Sequence, residues 1–209
     1  SHKSLAARDG SDEPPGPDQG RNPEVDFRGK KRSNKTHVSR TDPDALLATK
    51  NTGVAYLSYT THTLSENRHG LIVDVHTTQA TGTAERDAAL VMLERRAAPR
   101  KPDRSITVGA DRGYDAAEFI QSLQDMGMVP HVAAKTRGSA VPEAIKETED
   151  YAVSLRRRKM IEEAFGWVKD VGTLGRVMLR GLDRLRGEVL LNFAAYNLIR
   201  LGNLLAPSH

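Results

Sequence analysis

The chain has 209 residues, enough to bury one sizeable hydrophobic core, and its 31 Lys and Arg outnumber its 27 Asp and Glu, which suits a polyanionic partner. Cysteine is absent, so disulfides and thiolate metal ligands are excluded, and any metal would be bound by carboxylates or histidines. No apolar run reaches the ~18 residues that a membrane-spanning helix needs, so we expect a soluble, cytoplasmic protein with no membrane partner.

The first quarter of the chain has the composition of a loop. Residues 9–53 are rich in Gly, Pro, Asp, Asn and Lys, and apolar residues do not recur there at a useful period. We therefore predict that residues 1–53 form a long, disordered, Gly/Pro-rich basic segment and that the folded domain covers residues 54–205. A basic run inside the segment either follows a phosphate backbone or is a solvated loop. Its residues include Lys30, Lys31 and Arg32.

The next residues have patterns typical of a β-hairpin. Small, β-branched and aromatic residues alternate from Val54 to Thr63, which predicts a strand. A polar turn at residues 66–70 separates this strand from the apolar run Leu71–Val75, so the two are expected to pair. A helix from Ala84 to about Ala98 and a short strand from Ser105 to Ala110 are predicted to follow.

The second half of the chain continues the alternation of helix and strand. Asp115 and Glu118 have the spacing of a capping box, which starts a helix, and Gly127 is expected to end that helix. A strand at Val129–Ala133 and a long, mobile loop at Lys135–Asp150 are predicted next.

Two helices are expected to close the chain, at Leu155–Lys169 and Leu182–Leu201, because apolar residues recur there at helical spacing. No internal repeat interrupts this order of elements. The order is hairpin, helix, strand, helix, strand and helices, which predicts a mixed α/β domain with helices packed on a sheet.

Asp111 is the first residue that could carry chemistry. It stands where a predicted strand ends and a turn begins, and ligand sites in α/β folds gather beyond the carboxyl ends of strands. The competing explanation is that Asp111 merely accepts hydrogen bonds from turn amides, as Asp often does. Local pattern gives the two explanations equal weight.

Glu162 is the second candidate. In the predicted helix, Arg158, Glu162 and Lys169 fall on one flank of the apolar stripe at about 100° per residue, whereas Glu163 points into solvent. One carboxylate therefore borders the core beside two cations. The competing explanation is an exposed ion pair between Arg158 and Glu162, which would contribute only a few tenths of a kcal/mol.

Five segments, in order along almost the whole chain, match one family. They are Ser1-His2-Lys3-Ser4, the run from Gly20 to Gly29, Gln79 to Arg86, Ala110 to Asp115, and Ile161 to Lys169. Together they resemble the DDE transposases of bacterial insertion sequences. This resemblance implies an α/β fold with an RNase H-like mixed sheet flanked by helices, here lacking its opening strand.

The resemblance also implies roles for single residues. Asp111 would be the second and Glu162 the third of three catalytic acids, which bind Mg²⁺ or Mn²⁺ at a two-ion site. Arg158 and Lys169 match the Arg-x3-Glu-x6-Lys pattern around the third acid and would bind DNA. In that family the first acid lies on the opening strand, just upstream of the segment that resembles residues 1–4. We therefore expect this chain to lack that acid, and the two-ion site to form only in the complete domain.

The expected function is that of a transposase fragment for DNA transposition by metal-dependent phosphodiester cleavage and strand transfer, inactive by itself. The alternative is a non-catalytic DNA-binding or assembly protein derived from a transposase. A host nuclease of the same fold is disfavoured because the motifs favour transposases. The expected partners are the DNA ends of a mobile element and further copies of the chain in a homo-oligomer, in a cytoplasmic, nucleoid-associated protein.

Overall fold

The computed structural model describes residues 4–10, 32–49, 53–82, 84–97 and 105–206. The strands are β1 (Leu5–Ala7), β2 (His37–Ser39), β3 (Leu46–Thr49), β4 (Ala55–Ser65), β5 (Ile72–Gln79), β6 (Ile106–Ala110) and β7 (Met128–Val132). The helices are α1 (Ala84–Ala97), α2 (Ala117–Asp125), α3 (Glu143–Lys146), α4 (Glu149–Arg157), α5 (Met160–Asp170) and α6 (Leu182–Leu205). The predicted mixed α/β class is confirmed, and the arrangement is consistent with an RNase H-like domain.

The described strands form three separate sheets. β1 pairs with β2, and β3, β4 and β5 form an antiparallel sheet in that order. β6 and β7 form a parallel pair in which Ala110 lies opposite Val132. Among the described residues, β6 pairs with β7 alone, so its other edge carries no strand. An unpaired edge leaves a row of backbone donors and acceptors open to a further strand.

One hydrophobic core lies around the parallel pair. On α2 the buried residues Phe119, Ile120 and Leu123 share one face of the helix, which packs on β7. Val132 of β7 is fully buried, and the buried Tyr151 of α4 belongs to the same hydrophobic cluster. The predicted helix is confirmed, and Gly127 ends it with a φ of 65° that favours glycine.

A second core lies between the hairpin and the last two helices. Ala164 and Val168 of α5 pack against Val189 and Phe193 of α6, and α6 in turn packs on β5. The ring of Phe165 meets that of Phe193 edge to face, with centroids 5.7 Å apart. The predicted hairpin and the last helix are thus confirmed, and both extend beyond their predicted ends.

The prediction of a disordered segment at residues 1–53 is wrong at β1, β2 and β3. β3 pairs with the first half of β4, with Leu47 opposite Leu57, and the turn before it binds the amino end of α6. Asp42 Oδ1 accepts the Gly181 amide at 3.1 Å, and Asp44 Oδ2 accepts the Leu182 amide at 3.0 Å. These strands have only three or four residues, too few to show the alternation of apolar and polar residues that identifies a strand.

Two further predictions need correction in the second half. The segment predicted as a mobile loop contains α3 and the start of α4. The single helix predicted from Leu155 is two helices, α4 and α5, separated at Arg158 and Lys159. The carbonyls of these two residues accept the amides of Ile161 and Glu162, three residues further on instead of four. Thr148 caps α4 by accepting the Tyr151 amide at 3.2 Å. In the described part of the chain, no helix is both long and apolar enough to cross a membrane.

Candidate active site

Asp111 directly follows β6, at the carboxyl edge of the parallel pair. Its backbone is extended, and a single turn of 3-10 helix (Arg112–Tyr114) comes next. The Asp111 carboxylate accepts no hydrogen bond from that turn, so it does not act as a turn cap. Its side chain is 75% exposed, and its one ionic partner among the described residues is Arg158.

Arg158 lies in the break between α4 and α5, where its guanidinium forms an ion pair with Asp111. The packing of β6 brings the two together, because a Cβ at Gly109 would contact the Arg158 Cβ at 3.8 Å and the Ser154 carbonyl at 3.9 Å. Arg158 Nε is buried and has no hydrogen-bond partner within the described residues. The guanidinium therefore retains one unused donor.

Glu162 and Glu163 have different surroundings, but not the ones predicted from helical periodicity. Glu162, in the first turn of α5, is exposed, and its side chain bonds to no other described residue. Arg158 is paired with Asp111, so the alternative ion pair between Arg158 and Glu162 does not form. Glu163, predicted to be merely solvated, accepts a hydrogen bond at 3.1 Å from Arg200 of α6.

The other predicted DNA-binding residues are dispersed. Lys169 lies near the end of α5, exposed, with its Nζ 5.8 Å from the centre of the Phe165 ring. Arg32 is half-buried. Lys30 and Lys31 lie outside the described residues. Of the predicted site residues, the structure therefore brings Asp111 and Arg158 into direct contact, with Glu162 one turn further along the chain.

Asp115 has a role that local pattern did not reveal. It was predicted to cap α2, but the N-cap is Ala116, which makes no side-chain bond. The Asp115 carboxylate is 1% exposed and accepts the amides of Lys135 at 2.6 Å and Ala140 at 2.8 Å, in the segment after β7. A capping spacing could not reveal these bonds, because the donors lie 20 and 25 residues away.

The electrostatics of Asp115 follow from these bonds. Burial alone would raise the pKa of the carboxyl. The two backbone amides, the Ser139 side chain and the Lys135 charge together outweigh burial and hold the pKa of Asp115 below its ordinary value. Asp115 is therefore a buried anion whose charge is stabilised by fixed donors.

The residues present do not make a metal site by themselves. Within the described ranges, no group of three or more His, Asp or Glu could hold a metal ion. Asp111 and Glu162 offer the hard oxygen ligands that Mg²⁺ prefers, but Arg158 already neutralises Asp111. The described residues therefore do not include the set of carboxylates that such an ion prefers.

Comparison with known proteins connects this geometry to a family. A family model described as "Transposase DDE domain" matches residues 32–198, from the start of the second described range to the interior of α6. No curated protein and no solved structure matches the chain. The family match covers more than half of the chain and includes Asp111, Arg158 and Glu162. The chain therefore belongs to the transposase DDE domain family.

Proposed function

We propose that this chain acts in DNA transposition, with Asp111 and Glu162 as two of the three acids that serve phosphodiester cleavage and strand transfer. The observation that carries this proposal is the ion pair between Asp111 and Arg158. It joins the strand-end motif to the helix motif, two segments far apart in sequence, at the edge of the sheet where α/β domains bind ligands. Membership of a transposase family agrees with this role.

Arg158 is proposed both to position the Asp111 carboxylate and to bind the DNA substrate. It neutralises Asp111 in the free protein, and its buried Nε keeps an unused donor. A phosphate of the DNA backbone carries the same charge as a carboxylate and fits the planar guanidinium equally well. Phosphate binding at Arg158 therefore releases the Asp111 carboxylate, and Lys169 contacts the backbone further along α5.

Transposases of this family generally use divalent metal ions, and the proposed ion is Mg²⁺ or Mn²⁺ at a two-ion site. The described residues do not suffice for that site, so we assign no reaction step to a metal in this chain. The third carboxylate would arrive on a strand that pairs with the open edge of β6. The chain by itself is accordingly proposed to bind DNA without cleaving it.

Incubation of the purified chain with supercoiled plasmid in Mg²⁺ and in Mn²⁺ tests this proposal. We expect no nicking. Nicking that is lost in Asp111→Asn and Glu162→Gln but kept in the neighbouring Glu163→Gln would overturn the proposed inactivity while supporting the two acids. Nicking that none of these variants changes would contradict the assignment of the acids.

A second candidate is a non-catalytic DNA-binding or assembly protein derived from a transposase. The neutralised Asp111 and the incomplete set of acids in the described residues favour it. A mobility-shift experiment compares the sequences that flank the gene with random duplex of the same length. Preference for the flanking sequences supports a transposase that recognises its own ends, whereas equal affinity supports general DNA binding. In either case, we propose that the protein associates with the nucleoid through its binding to DNA.

We also propose that the chain forms a homo-oligomer through the outer face of α6. Leu191, Leu198 and Leu205 are 69%, 71% and 82% exposed, and they follow one another at seven-residue spacing. Ala194 and Leu201 lie between these leucines, so the five residues form one apolar stripe, the α6 seam, with the a/d spacing of a coiled coil. A second copy of α6 presents the same stripe and can pack against it. Residues 187–205 include two charged side chains, and both bond away from this face: Glu188 to Thr173 and Asn192, and Arg200 to the His69 carbonyl and Glu163.

A further inference from the structure

A basic loop after β7 lies at the same edge of the sheet as Asp111. β6 and β7 are parallel and in register, so they end together at Ala110 and Val132. The Ala133 amide then bonds the Ala110 carbonyl at 2.9 Å, which continues the pairing by one residue. The residues that follow β7 therefore leave the sheet beside the residues that follow β6, where Asp111 stands.

The loop is fixed at both ends by buried groups. At its start, the Ala134 amide donates to the Tyr151 hydroxyl at 3.1 Å, and that hydroxyl donates to the Val132 carbonyl at 2.8 Å. Asp115 then accepts the amides of Lys135 and Ala140, the second of which marks the end of the loop. The intervening residues turn back through Gly138, whose φ is 65°.

This loop presents cations to solvent. Lys135 and Arg137 are exposed, and Arg112 is exposed on the turn after Asp111. The side chains of Arg112 and Arg137 form no ion pair with an acid in the described part of the chain. Lys135 faces the buried Asp115 closely enough to lower its pKa. Asp111 is paired with Arg158, and the buried Asp115 stays charged but faces Lys135, so the exposed charges of these two turns that have no acidic partner among the described residues are those of Arg112 and Arg137.

We infer that the loop from residue 135 to 140 is a phosphate-binding site for the DNA backbone next to Asp111, and that Asp115 is its positioning residue. The inference rests on the proposed function in DNA transposition. Its physical basis is preorganisation: a loop already held in one conformation loses little conformational entropy when its cations bind phosphates. Asp115 contributes through the loop and does not touch DNA.

The test measures binding of a fluorescein-labelled 40-base-pair random duplex by anisotropy across a KCl series. The double variant Lys135→Ala with Arg137→Ala should reduce the slope of log affinity against log salt by about 2, because each phosphate contact contributes about 0.9. At 0.1 M salt its affinity should fall about tenfold or more. The matched control, Arg95→Ala with Arg96→Ala, removes the same charge from the last turn of α1, where both side chains contact β5.

A smaller slope in the loop variant than in the control supports the site, and equal slopes overturn it. Failure of the proposed function has different readouts: an unaltered chain that does not bind the duplex means that DNA binding itself fails, and the nicking experiment tests the two acids independently of this loop. Circular dichroism of each variant checks that the fold is kept.

Asp115→Asn tests the positioning role. Asparagine has the same shape but provides one acceptor oxygen instead of two, so one loop amide loses its partner. Amide hydrogen exchange at Lys135 or Ala140 should become faster, and DNA affinity should fall severalfold while both loop cations remain. Unchanged exchange and unchanged affinity would contradict the assignment, whereas faster exchange with full affinity would reduce Asp115 to a purely structural role.

Discussion

Replacement of Asp44 by alanine should destabilise the whole domain, although Asp44 lies in the segment that composition assigns to a flexible region. The Asp44 carboxylate accepts the Leu182 amide at 3.0 Å, one of the amides at the start of α6 that have no partner within the helix. The neighbouring Asp42 takes the Gly181 amide and also accepts a hydrogen bond from the Tyr59 hydroxyl at 2.6 Å. The segment therefore anchors α6, the longest helix in the described part of the chain.

The magnitude follows from what alanine removes. Loss of a side-chain acceptor at a helix amino end costs about 0.5–2 kcal/mol, and a carboxylate there also complements the helix dipole. We expect the free energy of unfolding to fall by about 1–2 kcal/mol for Asp44→Ala. For a domain of this size, that loss lowers the melting temperature by about 2–8 °C.

Urea denaturation followed by circular dichroism measures the effect, and Asp183→Ala serves as the control. Asp183→Ala removes the same charge from the first turn of the same helix. The Asp183 side chain, however, is 94% exposed and bonds Arg186 instead of a backbone amide. The control should lose only a few tenths of a kcal/mol. An Asp44→Ala variant no less stable than the control would refute the anchoring of α6 by this segment.

Burial, with the nearby charge of a second histidine, lowers the pKa of His62 to about 4 from its ordinary 6.5. Between pH 6.5 and pH 4, His62 is protonated in the unfolded chain but neutral in the folded chain, so the free energy of unfolding should fall as the pH is lowered through this range. His62→Gln should reduce the difference between the unfolding free energies at the two pH values by roughly 2 kcal/mol, measured by denaturation. Leu198→Glu should convert the oligomer to monomers in sedimentation velocity, whereas Val171→Glu, equally exposed but outside α6, should not; a monomeric parent chain would argue against the α6 seam. Glu163→Gln should lower the free energy of unfolding by up to about 1 kcal/mol because it weakens the ion pair to α6, and Glu162→Gln should change it by less than about 0.5 kcal/mol; the reverse order would mean that the surroundings of the two acids are misassigned.

Local pattern was a sound guide where an element determines its own structure. The hairpin of β4 and β5, α1, α2 and α6 all follow from side-chain periods and from glycine at turns and helix ends. Each of these elements buries one face, so its apolar residues recur at the period of a helix or a strand and can be recognised from their spacing in the sequence.

Local pattern failed where partners are remote in sequence. β2 is a strand because it pairs with β1, where Leu5 lies opposite Ser39, and the break at Arg158 divides a helix that periodicity alone would continue. Asp115 shows the same limit most clearly. Its spacing to Glu118 fits a capping box, yet its carboxylate binds amides 20 and 25 residues away.

The sequence by itself determined the fold class, the family resemblance and the identity of the two candidate acids, because these depend on residue type and on spacing along the chain. Tertiary structure alone decided that Arg158 pairs with Asp111 and not with Glu162, and that Asp115 holds the basic loop at the same edge. The physical reason is that charge and hydrogen-bond partners are chosen by distance in space. That distance is set by how β6, β7 and α4 pack, which spacing along the chain does not specify.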